Sequence, residues 1–311
     1  MACNKNGTEV NEFVFVGLTD IPELQILLFI IFILIYLFTL IGNLGLVALI
    51  WVASTLHTPM YFFLSGLSLV DLGSSSAIIP KVIAGIITGD KTISYNSCAS
   101  QMYFFVSFAT VENYLLAAMA YDRHVAICKP LHYSTIMTSR MCVALTIGCY
   151  FCGFLNSSIH IGFIFSLSFC SCNVVNHFFC DVPPIITLSC SDIRFTELLV
   201  CIMGAFNMAF SIFVIVTSYL SIFIAILRIR STEGRQKAFF TCASHIFAVS
   251  LFYGATIFMY LQPSSVHSMD TDKMASVFYT MIIPMLNPLV YSLRNKDVKN
   301  AFRKAIRRKN H

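Results

Sequence analysis

Four ionisable side chains stand where charge is expensive: Asp71, Glu112, Asp122 and Arg123 all fall within long runs of apolar residues. An ionised group in hydrocarbon costs at least about 2.5 kcal/mol, so such residues pair, take up a proton or cation, or line a path through the membrane. The chemistry open to them is proton or cation exchange and ion pairing. Covalent catalysis has no comparable support, because the chain has no His-Glu-x-x-His zinc motif and no Ser/His pair placed by a recognisable motif. His177-Phe178-Phe179-Cys180-Asp181 brings three metal-ligand types into five residues. A metal centre is one reading of that segment, and a structural loop is the other.

Spacing sets the depth of these groups. Glu112 lies 11 residues before Arg123 and Asp71 lies 14 after His57, or about 16 Å and about 21 Å along a helix. Both carboxyls therefore reach mid-bilayer, where two negative charges require a cation or a proton. Asn43 and Asn287 fall at similar depth and complete a polar core. We expect ion occupancy there in preference to protonated carboxyls that only hold helices together.

The elements that position these groups are membrane helices. The chain is 57% hydrophobic and 11% charged, a balance that excludes an ordinary soluble domain. Seven apolar runs, at about 24–51, 58–86, 96–128, 140–167, 196–229, 236–262 and 271–293, are each long enough to cross a hydrocarbon core of roughly 30 Å. The fold expected is an all-α membrane protein, a seven-helix bundle over 1–293 followed by a short amphipathic helix and tail over 294–311. In that tail Val298, Phe302 and Ile306 recur every four residues among Lys and Arg, which suits the surface of anionic lipid.

Segment 1–23 holds Lys5 against Glu9, Glu12, Asp20 and Glu23, whereas 294–311 holds eight Lys/Arg against Asp297. Arg123, Lys129 and Arg140 follow the third run, and Arg228, Arg230, Arg235 and Lys237 follow the fifth, against Glu233. This alternation places the N-terminal tail outside and the C-terminus in the cytoplasm. The net charge of +5 is thus a topology signal and implies no nucleic acid. No cleavable signal peptide is visible, so the first run is expected to serve as an uncleaved signal-anchor. Asn6-Gly7-Thr8 is a glycosylation sequon on the outer side, while Asn156-Ser157-Ser158 lies inside the fourth run and is discounted.

Ordered motifs then cover nearly the whole chain. They are Gly42-Asn43, Leu56-His57-Thr58-Pro59-Met60-Tyr61-Phe62-Phe63-Leu64, Met119-Ala120-Tyr121-Asp122-Arg123-His124-Val125-Ala126-Ile127-Cys128-Lys129-Pro130, Ser218-Tyr219, Lys237-Ala238-Phe239-Phe240-Thr241-Cys242 and Pro284-Met285-Leu286-Asn287-Pro288-Leu289-Val290-Tyr291. In this order and at these places the set resembles the olfactory receptors, a branch of the rhodopsin-like G-protein-coupled receptors. His124 departs from the pattern, which has Tyr there.

The resemblance implies several roles. Twelve cysteines allow many pairings, and the resemblance selects Cys98–Cys180 and Cys170–Cys190, leaving Cys172 over. With Cys180 in a disulfide, the metal reading of 177–181 loses its best ligand and the structural loop is preferred. Pro183 and Pro184 make that loop a stiff cover instead of a helix. Asp122 and Arg123 are expected to pair until the bundle opens toward a G protein, with Tyr219 and Tyr291 as packing partners. The acid pair Asp71 and Glu112, with Asn43 and Asn287, is expected to hold sodium or a proton.

The ligand is expected in the outer half of the bundle. Helical spacing points Phe105, Val106, Ala109 and Thr110 inward on the third run, with Met203 and Asn207 on the fifth. Tyr253, Thr256, Ile257 and Tyr260 come from the sixth, and Tyr279 and Thr280 from the seventh. Such a lining, apolar with a few hydroxyls and one amide, suits small, mostly neutral volatile molecules. Tyr253 stands where many rhodopsin-like receptors have Trp, and Gly254 beside it gives the backbone room to bend.

The function expected is an odorant receptor acting through a stimulatory olfactory-type G protein to raise cyclic AMP. It would sit in the plasma membrane of olfactory cilia, against membrane lipid, and need export chaperones. A receptor of the same family acting outside the nose is the nearer alternative, and an ion transporter or channel the more distant one. Against transport stand the odd number of runs and the lack of internal repeats or paired broken helices.

Overall fold

The computed structural model describes residues 10–309 except 20, 170–172, 230, 261–268 and 295; for 237, 240, 241, 260, 269, 270, 292–294, 296 and 305–309 it describes backbone alone. Among the described residues, seven helices are long and apolar enough to cross a membrane. Spans one to five are Pro22–Val52, Pro59–Thr88, Tyr95–Cys128, Ser139–Ile164 and Arg194–Arg228. Span six is Cys242–Met259, within the helix Thr232–Tyr260, and span seven is Thr271–Tyr291. The helices match the apolar runs, because length and apolarity are what a membrane crossing selects.

Span one shows how each helix is oriented. Phe32, Ile35, Thr39, Asn43, Leu46 and Ile50 are buried at spacings of three and four, while Ile26, Phe38 and Ile41 on the other face are 63–69% exposed. An apolar face left open on a helix of this length faces lipid. Span three is the axis of the bundle, packed against spans two, four, five and six. Spans three and four approach closely at Gly153, where a Cβ would stand 2.5 Å from Cγ2 of Val111 and 2.9 Å from the Ser107 carbonyl oxygen. Only glycine fits there.

One end of the bundle carries a small sheet that the sequence patterning does not announce. Its strands are β1 (Glu12–Phe15), β2 (Thr92–Ser94) and β3 (Val174–Val175), in the order β2-β1-β3, with β1 antiparallel to β2 and parallel to β3. Phe13 is completely buried beneath it, and the Lys91 ammonium donates to the Val16 carbonyl at 3.0 Å. We call this the strand end and the opposite end the tail end.

The cover between spans four and five contains a helix after all, Val182–Ile186. Asp181 caps it by accepting from the Val182 N–H at 2.8 Å, and Pro183 and Pro184 fall in its first turn, where a missing N–H costs nothing. Span seven has its own irregularity. Residues Phe278–Ile282 form a π-helical turn in which the Ile283 N–H bonds back to the Phe278 carbonyl. Pro284 follows and has no N–H to give Thr280, so the ladder widens by one residue just before it. Span six, by contrast, runs unbroken through Gly254.

The amphipathic tail helix is Lys296–Lys309. Val298 and Ala301 are buried against the bundle, while Phe302 is 58% exposed. The side chain of Ile306 lies outside the described residues.

Candidate functional site

At the strand end a disulfide joins Cys98 of span three to Cys180, with the Cα atoms 5.6 Å apart. Gln101 adds a second tie: its side-chain oxygen accepts from the Cys180 N–H at 2.9 Å and its amide donates to the Ala77 carbonyl of span two at 3.0 Å. Residues 173–186 are thereby held as a lid over the bundle. Cys190 is also disulfide-bonded. Its expected partner Cys170 lies outside the described residues, as do Cys172 and Asn6.

His177 is the hinge pin of this lid. It is 4% exposed, its ring stacks on Phe178 and meets Phe179 edge-on, both at 4.7 Å, and its Nε2 lies 3.2 Å from the Ser276 hydroxyl of span seven. Burial, with the positive charge of Lys273 second, pushes its pKa down to about 4. With Cys180 committed to the disulfide, 177–181 serves as lid structure.

Rings continue downward from the lid. Phe179 meets Phe105 at 5.3 Å, Phe105 meets Tyr279 at 6.0 Å, Tyr279 meets Phe252 at 5.8 Å, and Phe252 meets Tyr253 at 5.2 Å. Each contact crosses between elements except the last, so the lid touches span six through an unbroken aromatic series.

Beside that series, hydrogen bonds join spans three, four, five and six. The Tyr253 hydroxyl donates to Asn113 Oδ1 at 2.7 Å, and Asn113 Nδ2 donates to the Ser211 hydroxyl at 2.8 Å and the Asn207 carbonyl at 3.1 Å. Asn207 donates to Asn156 Oδ1 and to the Met203 carbonyl, each at 2.8 Å, and accepts from the Tyr114 hydroxyl. Asn156 in turn donates to Thr110 at 3.3 Å. The sequence reading found Thr110, Asn207 and Tyr253 but missed Asn113, Tyr114, Asn156 and Ser211. Their signal was available, since amides inside apolar runs seek each other. The burial of Asn156 agrees with discounting it as a sequon.

Other expected ligand residues fall as follows. Phe105, Thr256, Tyr279 and Thr280 are buried, and Val106, Ala109 and Met203 are half-buried. Thr256 and Thr280 spend their hydroxyl protons on Phe252 and Ser276 carbonyls at 2.8 and 2.7 Å. Ile257 is a correction: it is 42% exposed and faces away from the bundle. The buried stripe of span six runs through Cys242, His245, Ala248, Phe252 and Thr256, and the next residue is turned about 100° from it. The Tyr260 side chain lies outside the described residues.

In mid-bundle, Asn287 Nδ2 donates to both carboxylate oxygens of Asp71 at 3.1 Å. Glu112 is buried nearby, close enough for the two carboxyls to interact electrostatically. Asn43 donates to the Thr39 and Pro284 carbonyls, both at 3.0 Å, so its amide ties span one to span seven. Its Oδ1 has no hydrogen-bond partner, nor do the buried hydroxyls of Ser75, one turn from Asp71, and Ser107.

The tail end departs from expectation. Among the described residues no ion pair joins Asp122 to Arg123; adjacent helix residues diverge by about 100°. Asp122 Oδ1 accepts instead from the Tyr133 hydroxyl at 2.8 Å, from the short helix Tyr133–Ile136 beyond span three. Burial and then the Asp122 charge hold Tyr133 well above the ordinary tyrosine range, so it remains a donor. Tyr219 packs on His245 with ring centroids 5.8 Å apart, and its hydroxyl meets His245 Nδ1 at 2.6 Å. The other ring nitrogen, Nε2, meets the Leu116 carbonyl at 3.1 Å. Arg123 Nε, Asp122 Oδ2, His124 Nδ1 and the Tyr291 hydroxyl are buried without partners. These orphaned groups gather about the end of span three.

Residues 32–309 match the sequence family described as "Olfactory receptor". The chain is 65% identical to human Olfactory receptor 5B12 over 302 residues, covering 97% of this chain and 96% of that protein. It is 65% identical to human Olfactory receptor 5B2 over 304 residues, 98% of each. Mouse Olfactory receptor 5B21 is 60% identical over 308 residues, 99% of this chain and 97% of the relative.

Proposed function

This chain belongs to the olfactory receptor family, whose members are receptors and not enzymes, and from that premise we propose a ligand, a route and an output for it. The ligand is a small, mostly neutral volatile molecule with one oxygen function. It binds among Phe105, Thr110, Met203, Asn207, Tyr253 and Tyr279, beneath the lid. The strand end faces outside and the tail end faces the cytoplasm, as the Lys/Arg distribution supports. The protein acts at the plasma membrane, in olfactory cilia, after export assisted by chaperones. Outside, Asn6 carries a glycan and Cys170 pairs with Cys190.

The observation that carries this reading is the bond from Tyr253 to Asn113, which closes the chain of polar contacts from Thr110 and Asn156 through Asn207. A ligand oxygen that competes for Asn207 or Thr110 perturbs Asn113, and through it the grip on span six. Movement of span six at its other end separates Tyr219 from His245 and frees Tyr219 to meet Arg123. The exposed Arg123 then engages a stimulatory G protein of olfactory type, raising cyclic AMP. A sodium ion or proton at Asp71 and Glu112 holds the resting form, and its loss accompanies opening. The basic tail helix Lys296–Lys309 lies along anionic lipid with Phe302 inserted.

Cells expressing the chain with an olfactory-type G protein test this. An odorant panel raises cyclic AMP dose-dependently, and Arg123→Ala abolishes the rise at equal surface expression. A rise that survives Arg123→Ala contradicts the proposed route.

A further inference from the structure

Lys81 is a charge that neither the polar chain nor the switch employs. Span two ends at Thr88, and Gly89 caps it in the left-handed conformation, with φ at 72°. The chain then doubles back. The Asp90 carbonyl oxygen would stand 3.3 Å from a Cβ on Gly85, which lies one helical turn after Lys81 on the same face. This return sets Asp90 beside Lys81, and both line one cavity. Asp90 Oδ1 accepts from the Thr92 N–H at 2.9 Å and from its hydroxyl at 2.7 Å. Those bonds, with the Lys81 charge a smaller cause, hold the Asp90 carboxyl below the usual carboxylate range, so it is ionised. Among the described residues no ion pair joins the two, and the Lys81 ammonium makes no hydrogen bond.

The cavity holds about 550 Å³, the size of a small-ligand site, and lies between spans two and three and strand β2. Gln101, buried and already bonded to Ala77 and Cys180, closes its inner side. Two further donors line it. The Ser97 hydroxyl accepts from Ser94 at 2.8 Å and, among the described residues, gives its own proton to nothing; the Asn96 amide likewise has no partner there. Ala77 and Phe104 complete the wall. Phe104 lies about 10 Å deeper than Ser97 along span three, and its ring is 45% exposed. On a membrane span so open a ring faces lipid. The cavity is therefore polar and charged toward the strand end and apolar below.

We propose that this cavity seats the headgroup of a zwitterionic phospholipid from the leaflet at the strand end. Lys81, reaching up along its four-carbon stem, donates to the phosphate together with Ser97 and Asn96. Asp90 Oδ2, which the Thr92 bonds leave open, faces the headgroup ammonium. The acyl chains leave past Ala77 and Phe104 into the bilayer. A cation alone would select an anionic lipid. With one carboxylate beside one ammonium, the match is a headgroup carrying one charge of each sign. The seat lies outside the ligand site proposed above and depends on none of its residues.

Native mass spectrometry of the full-length receptor tests this, after solubilisation with an equimolar mixture of palmitoyl-oleoyl phosphatidylcholine and phosphatidylglycerol. The cationic tail helix is the same in every variant, so differences between variants read this cavity. The wild type retains phosphatidylcholine, and Lys81→Met lowers that retention about threefold, the worth of an exposed ion pair. Lys81→Arg, which keeps the charge, holds the lipid as the wild type does. Asp90→Asn keeps an oxygen for Thr92 but loses the charge, and shifts retention from phosphatidylcholine toward phosphatidylglycerol. Equal phosphatidylcholine retention in the wild type and Lys81→Met overturns the proposal. So does an unchanged lipid ratio in Asp90→Asn, or a loss in Lys81→Arg as large as in Lys81→Met.

Discussion

The Tyr219 hydroxyl and Nδ1 of His245 lie 2.6 Å apart, while Nε2 of the same ring lies 3.1 Å from the Leu116 carbonyl. A carbonyl only accepts, so Nε2 carries the proton and Nδ1 accepts from Tyr219. One neutral histidine thus staples spans three, five and six together. Replacing it by His245→Ala leaves the Tyr219 hydroxyl without its partner, at about 1–3 kcal/mol. The expected outcome is a lower unfolding midpoint together with raised basal cyclic AMP. Basal signalling unchanged or reduced at equal surface expression contradicts a restraining role.

Tyr253 gives a gentler perturbation. Tyr253→Phe keeps the ring contact with Phe252 but removes the bond to Asn113. One net hydrogen bond is worth about 1 kcal/mol, or about fivefold in an equilibrium. We expect a shift of about fivefold in agonist potency at an unchanged number of surface receptors. Asn113→Ala in the same background adds much less than it does alone, because the pair is coupled. Fully additive shifts mean that the two residues act separately.

Lid stability depends on pH through His177. Its pKa falls from 6.5 to about 4 on folding, so between those values the unfolded lid binds more protons than the docked one. Stability is complete above about pH 6.5 and is lost as pH falls toward 4, at about 1.4 kcal/mol per unit. Hydrogen exchange of residues 173–182 reports this as faster opening at pH 5 than at pH 7. His177→Phe removes the dependence contributed by this residue; an identical pH profile in that variant assigns it elsewhere.

How much was legible in sequence follows from what each signal depends on. Helices were plain because a membrane crossing demands length and apolarity, and Asp71, Glu112 and Asn287 were found because polar groups at that depth are conspicuous. The sheet was hidden because β3 is two residues long and β1 borrows its partners from distant loops. Ile257 was misplaced because one residue of rotation separates lining from lipid and periodicity alone does not fix the centre of the stripe. The resemblance implied that Asp122 and Arg123 pair; that the Asp122 carboxylate accepts from Tyr133 depends on packing beyond span three, which no pattern in the sequence reveals. His245 and Asn113 were visible as polar residues in apolar runs. Their partners, however, are set by packing across spans.

The central claim is that this bundle converts ligand binding into G-protein activation through the end of span three. Purified receptor, mixed with a stimulatory olfactory-type G protein and an agonist, is measured directly for guanine-nucleotide exchange. Agonist accelerates exchange on the wild type, and Arg123→Ala abolishes the acceleration while still binding the agonist. Agonist that binds the wild type yet leaves exchange unchanged, or acceleration that persists in Arg123→Ala, contradicts the claim.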